Sequence, residues 1–236
     1  WNIMALSHNP RIVTEGLVLA LDAANPKSYP GSGTTWFDMS GNGHHATINN
    51  APAWNSNGWF EFRNVVGDAV HTYMSTTIDD GILQNGTESG SWSLDLWYCD
   101  RGTVSTSESM LVARSGHHSG ILQTSSQVRM QIRTVNGATG QISQVSTTID
   151  NSWYHVVMTW ANRRATMYVN GVEVSTQTML DTDFIWTHST AMFIGGMNND
   201  NYRSYADIGI TRAYNRALTA DEVKQNFEAT RSRYGI

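Results

Sequence analysis

Residues 206–223 read ADIGITRAYNRALTADEV, and this stretch decides the fold because its pattern changes halfway along. Ile208 and Ile210 alternate with small or polar residues, which predicts a strand with one apolar face. Thr219 is suited to cap a helix, and Glu222 follows three residues later, as in a capping box. The stretch therefore predicts a strand, a turn and a short C-terminal helix.

Upstream segments repeat the strand signal. Residues 92–99, WSLDLWYC, alternate strictly, so that the face carrying Trp92 and Leu94 is predicted to be core. Residues 153–160, WYHVVMTW, form the strongest predicted strand, and the pair Asn170-Gly171 further on predicts a type I′ hairpin. Consecutive hairpins build antiparallel sheets, so the sequence predicts an all-β fold.

Four segments carry a resemblance to a known family. The ending 206–236 resembles the last part of laminin-G-like domains of the concanavalin A-like lectin/glucanase superfamily. Residues 153–160 followed by 167–174 look like the central strand pair of that family, and FIGG at 193–196 looks like its next-to-last strand. The resemblance implies an antiparallel two-sheet jelly-roll sandwich with a short C-terminal helix.

The opening segment suggests a biological setting. Residues 16–50 are similar to a version of this domain that is common in virion proteins of tailed bacteriophages. We therefore expect the sandwich to span residues 16–236, preceded by an N-terminal arm at 1–15. The resemblance is specific for the fold and implies little about the ligand.

Composition excludes several function classes. The chain has 236 residues, enough for one sandwich domain, and its net charge of −5 with 15 Lys and Arg gives no basic stripe for nucleic acid. No apolar run approaches the length that a membrane helix needs. Cys99 is the sole cysteine, so no internal disulfide forms, and assembly in the cytosol is favoured over secretion.

The superfamily includes glucanases, so hydrolysis has to be considered. Retaining glycosidases need two carboxylates about 5 to 5.5 Å apart, which a strand provides by placing two acids on one face. No Glu in this chain is predicted to share a strand face with another acid. We therefore expect a protein that is not an enzyme. The pairs His44-His45 and His117-His118 lie in turns and are predicted to be exposed loop histidines rather than zinc ligands.

A structural calcium ion is implied by the resemblance. Many relatives of this fold bind calcium between the start of the domain and its final strand, and Asp207 matches the final-strand acid, with Asp22 or the turn at Asp38 as companions. Carboxylate and backbone oxygens in loops are suitable ligands for calcium. The alternative is that Asp207 only stabilises a bulge or turn.

A glycan site is a second candidate, because sugars need an aromatic platform with polar donors beside it. The loop at 196–205 has this mixture, and the tip around Trp186 is expected to lie near it. The candidate ligand-binding residues are Trp186, Asn198, Asn199, Asp200 and Tyr202. The alternative is an ordinary polar loop at the rim of the sandwich.

The sequence thus favours a non-enzymatic structural or adhesion module of a phage virion, either a capsid decoration or a tail-fibre protein, with host surface glycans as candidate ligands. The expected partners are other virion proteins and further copies of the same chain, and neither nucleic acid nor a membrane is expected as a partner. The alternative is a carbohydrate-binding lectin outside a virion, and a more distant one is a glycoside hydrolase or lyase.

Overall fold

The computed structural model describes residues 10–65, 68–78, 90–102, 109–114, 119–124, 127–133, 139–146, 151–178, 191–197 and 202–236. Within these ranges the chain forms two antiparallel β-sheets, then helix α1 (Ala220–Thr230) and a 3₁₀ turn (Arg231–Tyr234). In chain order the strands are β1 (Leu17–Asp22), β2 (Thr35–Trp36), β3 (Ala46–Asn49), β4 (Ala53–Asn55), β5 (Trp59–Arg63), β6 (Tyr73–Thr77), β7 (Trp92–Asp100), β8 (Ser109–Arg114), β9 (Ser119–Gln123), β10 (Gln127–Arg133), β11 (Thr139–Ser146), β12 (Trp153–Ala161), β13 (Arg164–Val169), β14 (Val172–Thr178), β15 (Ala191–Ile194) and β16 (Tyr205–Tyr214).

The two sheets have a jelly-roll arrangement. Sheet I has the order β14-β13-β12-β7-β16-β5-β4, and β1 pairs with the C-terminal half of β16. Sheet II has the order β11-β10-β9-β8-β15-β6-β3-β2. The all-β sandwich with a short C-terminal helix is therefore confirmed.

The core between the sheets follows the predicted alternation. Trp92, Leu94, Leu96 and Tyr98 of β7 are fully buried in the cluster that joins the two sheets. The opposite face of the same strand is also buried, because α1 and the 3₁₀ turn cover it, and Trp97 stacks against rings from both. Strand β7 is thus a central strand with two buried faces.

Strand β16 departs from the predicted alternation. Ile208 packs in the core between the sheets, whereas Ile210 packs on the opposite side, against α1 and the 3₁₀ turn. The register of β16 against β7 shifts between these two residues, at Gly209. A β-bulge inserts one extra residue and turns the following side chains to the other face. The prediction that Ile208 and Ile210 share a face was therefore wrong.

Helix α1 begins as the sequence predicts. Thr219 accepts a hydrogen bond from the backbone N–H of Glu222, and the Glu222 side chain accepts one from the backbone of Thr219. Arg216 forms a two-pronged ion pair with the same Glu222 at 2.6 and 2.7 Å. The capping box is confirmed, and it fixes the direction in which the helix crosses sheet I.

A buried polar network holds α1 against sheet I. The Asp95 carboxylate contacts Arg212 Nη1 at 3.2 Å, His155 Nε2 at 3.1 Å and Asn226 Nδ2 at 2.8 Å. Burial alone would raise the pKa of Asp95, but the charges of Arg212 and His155 and the hydrogen bonds outweigh it and lower the pKa to about 2. Asp95 is therefore ionised at neutral pH.

Residues 10–15 lie along the helix. The Val13 N–H donates to Asn226 Oδ1 at 2.8 Å, and the Tyr214 hydroxyl donates to the Val13 carbonyl at 3.1 Å. Gln225 Nε2 donates to the Arg11 carbonyl at 2.7 Å. The boundary between an arm and the sandwich at residues 15 and 16 stays a prediction. No helix in the described ranges has the length and apolar character needed to span a membrane.

Candidate functional site

One end of sheet I carries a pocket of about 440 Å³, which we call the edge pocket. It is lined by residues 151–154 at the start of β12, by Asn170 in the turn between β13 and β14, and by residues 234–236. The β13–β14 turn lies beside the start of β12 because the Asn170 N–H donates to the His155 carbonyl at 2.8 Å. The pocket is thus built where a hairpin turn meets the chain that follows α1.

Aromatic rings form one wall of the edge pocket. The ring of Tyr234 lies between Trp97 and Trp153, with centroids 4.3 and 4.4 Å away. Trp59 meets Trp153 edge to face at 5.3 Å. Trp153 and Tyr234 are only partly buried, so each combines a packed ring with an accessible part. The wall is therefore held by ring packing before any ligand arrives.

Two asparagines supply polar groups beside these rings. Asn151 and Asn170 both have left-handed backbone conformations, with φ of 62° and 50°, which asparagine tolerates better than most residues. Asn151 Oδ1 accepts from Arg101 Nη1 at 3.2 Å, and Asn170 Oδ1 accepts from the His155 N–H at 2.9 Å. Because each oxygen accepts, the Nδ2 group of each amide is the donor that remains, and both residues line the pocket.

The predicted loop residue Tyr202 lies on the other sheet. It packs with Phe193, Tyr73 and Met197 on the outer face of sheet II. Tyr73 and Phe193 also line a groove of about 390 Å³, which we call the sheet II groove, together with residues 43–45, Thr47, Ser75 and Thr77. Tyr202 therefore shares an apolar cluster with two residues of this groove but does not itself line the groove.

His45, which lines the sheet II groove, is hydrogen-bonded to the turn at Asp38. Its Nδ1 accepts a hydrogen bond from the Asp38 N–H at 3.0 Å, so a neutral His45 ring carries its proton on Nε2. Asp38 in turn accepts from the backbone N–H groups of Ala20, Ser40 and His44. The Asp38 turn is therefore organised by its own hydrogen bonds.

The other predicted glycan residues, Trp186, Asn198, Asn199 and Asp200, lie outside the described residues, as do His117 and His118. Their grouping with Tyr202 in one binding site stays a prediction.

The two carboxylates assigned to calcium do not meet in the structure. Asp207 is fully buried, and its oxygens contact Arg63 Nη2 at 2.6 Å and Arg101 Nε at 2.7 Å. Asp22 pairs with Arg233 at 2.6 Å and lies opposite Ile210 in the β1–β16 ladder, about 10 Å along the strand from Asp207. Among the described residues no group of three or more His, Cys, Asp or Glu is placed to hold a metal ion. The calcium site stays a prediction.

Sequence reasoning missed the edge pocket. Trp153 was recognised only as part of a strong strand and Asn170 only as a turn residue, while Asn151 and Tyr234 were not considered. One signal was present, because an asparagine stands two residues before Trp153 and another in the turn of the next hairpin. The approach of Tyr234 depends on how α1 crosses the sheet, which no local pattern specifies.

The fold and the pocket define a jelly-roll β-sandwich with an aromatic and amide surface site. A family model described as the concanavalin A-like lectin/glucanases superfamily, of the laminin-G type, matches residues 68–224. The chain belongs to this family. The resemblance recognised in the sequence is thereby confirmed for the family, whereas a phage setting stays a prediction.

Solved structures show the same fold. The binding domain of botulinum neurotoxin serotype D aligns with a TM-score of 0.70 at 14% identity, over 92% of this chain and 52% of its own. The binding domain of Paraclostridial mosquitocidal protein 1 aligns with a TM-score of 0.68 at 15% identity, over 91% and 52%. A botulinum neurotoxin type C structure aligns with a TM-score of 0.71 at 15% identity, over 92% and 52%. This chain thus spans about half the length of these structures, and the likeness shows the fold alone. No curated protein matches the chain in sequence.

Proposed function

We propose that the protein is a non-enzymatic, lectin-like module that binds a glycan in the edge pocket. The observation that carries the proposal is that one pocket is lined by partly exposed rings, Trp153 and Tyr234, and by the amide groups of Asn151 and Asn170. A sugar ring presents apolar C–H groups on its faces and hydroxyls at its edge, so it needs these two kinds of surface together. The volume of about 440 Å³ lies in the usual range for small-molecule sites.

Structural relatives support a binding role by analogy. Cell entry of botulinum neurotoxin type C is described as dependent on interaction with two ganglioside molecules, and a related binding domain was solved with rat synaptotagmin II. Those ligands belong to proteins about twice as long as this chain, so they support recognition of a surface molecule in general. They name no ligand for this chain.

The setting that we propose is a virion, as a capsid decoration or a tail-fibre protein. The support is the similarity of residues 16–50 to phage virion proteins. Docking on other virion proteins and assembly with copies of itself belong to the same proposal. A lectin outside a virion is the second candidate, and a glycoside hydrolase is a distant third.

The test removes one amide donor and leaves its backbone unchanged. Asn170→Asp keeps the Oδ1 acceptor for the His155 N–H but replaces the Nδ2 donor with an oxygen, and Asn151→Asp does the same beside Arg101. Loss of a hydrogen bond with an unpaired group left behind costs about 1–3 kcal/mol, so binding on a glycan array should fall about 5- to 150-fold. Asn162→Asp is the matched control, since this asparagine has φ of 50° in the turn at the far end of β12.

Results from this array and from two further assays would identify the alternatives. Binding that persists in both pocket variants but is lost in Tyr202→Ala would move the site to the predicted loop. Firm attachment to purified capsids without any sugar signal would favour a purely structural role. Cleavage of a polysaccharide chain by the wild-type protein would indicate a glycoside hydrolase and contradict the proposal.

A further inference from the structure

A second pocket, which we call the arm pocket, lies between residues 10–12, strand β1 and the end of α1. Its volume is about 270 Å³, just below the usual range for small-molecule sites. The side chains that matter are Ile12, Asp22, Asn25, Met39, Arg212 and Arg233. None of them belongs to the edge pocket, so the inference does not rest on the proposed glycan function.

Arg212 gives the arm pocket its chemistry. The residue is 3% exposed, and its Nη1 contacts both oxygens of Asp95, at 3.2 and 3.3 Å. Within the described part of the chain no acceptor contacts its Nε or Nη2, although Arg212 lines the pocket. A guanidinium carries its N–H groups in a planar fork, and the Nε/Nη2 edge is one of the edges that binds a carboxylate in a two-pronged manner.

The other polar groups around the pocket have partners for their charges. Arg233 Nη1 binds Asp22 at 2.6 Å, and Asp95 behind Arg212 is also bonded to His155 and Asn226. Asn25 Oδ1 accepts from the Lys27 N–H at 3.0 Å, which leaves its Nδ2 as a donor. The polar groups that remain for a ligand are therefore N–H donors, on Arg212 and Asn25. Ile12 and Met39 offer apolar contact.

We infer that the arm pocket binds a small organic acid, with the carboxylate on the open Nε/Nη2 edge of Arg212 and beside Arg233 and Asn25. The carbon skeleton of the acid packs against Ile12 and Met39. A buried guanidinium with an unused edge is costly, and a bound carboxylate would satisfy both of its N–H groups.

The test is calorimetric titration of the full chain at low salt with glucuronate, acetate and glucose. Glucuronate and acetate should bind and glucose should not, because glucose lacks the carboxylate. Arg233→Gln should weaken glucuronate about tenfold, since Asp22 is then left facing the ligand. Arg231→Gln is the matched control, because Arg231 stands in the same 3₁₀ turn and pairs with Glu228.

Arg212→Lys tests the fork itself, since lysine keeps the charge opposite Asp95 but cannot bind a carboxylate in two prongs. It should weaken acetate about tenfold while the unfolding midpoint shows a folded chain. If this variant does not fold, Asn25→Asp serves instead, because it keeps the acceptor for Lys27 and should abolish binding. Equal binding of glucose and glucuronate, no binding of either acid, or unchanged affinity in Arg233→Gln would each overturn the inference.

Discussion

Removal of the Asp95 carboxylate should destabilise the protein strongly. Asp95→Ala leaves Arg212 buried without its anionic partner and breaks the bonds to His155 and Asn226. Breaking one side of a buried ion pair costs about 3–5 kcal/mol. In a domain of this size that corresponds to a fall in the unfolding temperature of about 10 °C.

The same carboxylate predicts an acid-sensitive stability. Its pKa is about 2 in the folded protein against an ordinary value of 3.8. A lowered pKa means that the contribution is complete above pH of about 4 and is lost as the pH falls towards about 2, a change of about 2 kcal/mol. Asp95→Ala should therefore flatten the stability profile in that window.

Chemical denaturation at pH 7 and between pH 2 and 5 measures both effects. Asp221→Ala is the control, because Asp221 is exposed in the first turn of α1 and should cost only about 0.3–1 kcal/mol. The double variant Asp95→Leu/Arg212→Leu should recover most of the loss, since a buried pair replaced by apolar residues is often neutral. A loss below about 1 kcal/mol in Asp95→Ala would refute the role given to this network.

A helix cap, a tight glycine contact and the predicted calcium site can each be tested by unfolding. Thr219→Ala removes the cap of α1 and should cost about 1 kcal/mol in chemical denaturation; an unchanged free energy of unfolding would contradict the capping role of Thr219. Gly171→Ala should cost about 1–3 kcal/mol more than Gly43→Ala, because both have φ near 78° and share the backbone cost, but only the former would bring a Cβ within 3.1 Å of Phe227; equal costs would contradict the contact. A fall in unfolding temperature on adding a chelator would support the predicted calcium site at Asp207, and an unchanged temperature would count against it.

The sequence predicted the parts of the fold that depend on the spacing of residues within one strand or one helix. The alternation in β7 correctly assigned Trp92 and Leu94 to the core, and the spacing of Thr219 and Glu222 correctly located the start of α1. The bulge at Gly209 was not predicted, because a strand with a bulge and a strand without one share the same local pattern. The error placed Ile210 on the wrong face.

The candidate site was less predictable for a related reason. The edge pocket joins residues near 151, 170 and 234, which come together only when the hairpin and the end of α1 meet at one end of sheet I. Sequence reasoning looked for aromatic and amide residues close together in the sequence and therefore chose the loop at 196–205 with the tip around Trp186. A sandwich can also assemble such a surface from three short segments, each with one or two of the groups.

Two buried aspartates have a structural role in this fold. Asp95 and Asp207 are fully buried, and each is held by at least one guanidinium group. A general acid for glycoside cleavage needs a raised pKa to hold its proton near neutral pH, whereas the pKa of Asp95 is lowered to about 2. These carboxylates tie strands, loops and helix together. The edge pocket presents rings and amides, which are the groups that the proposed binding of a neutral sugar ring requires.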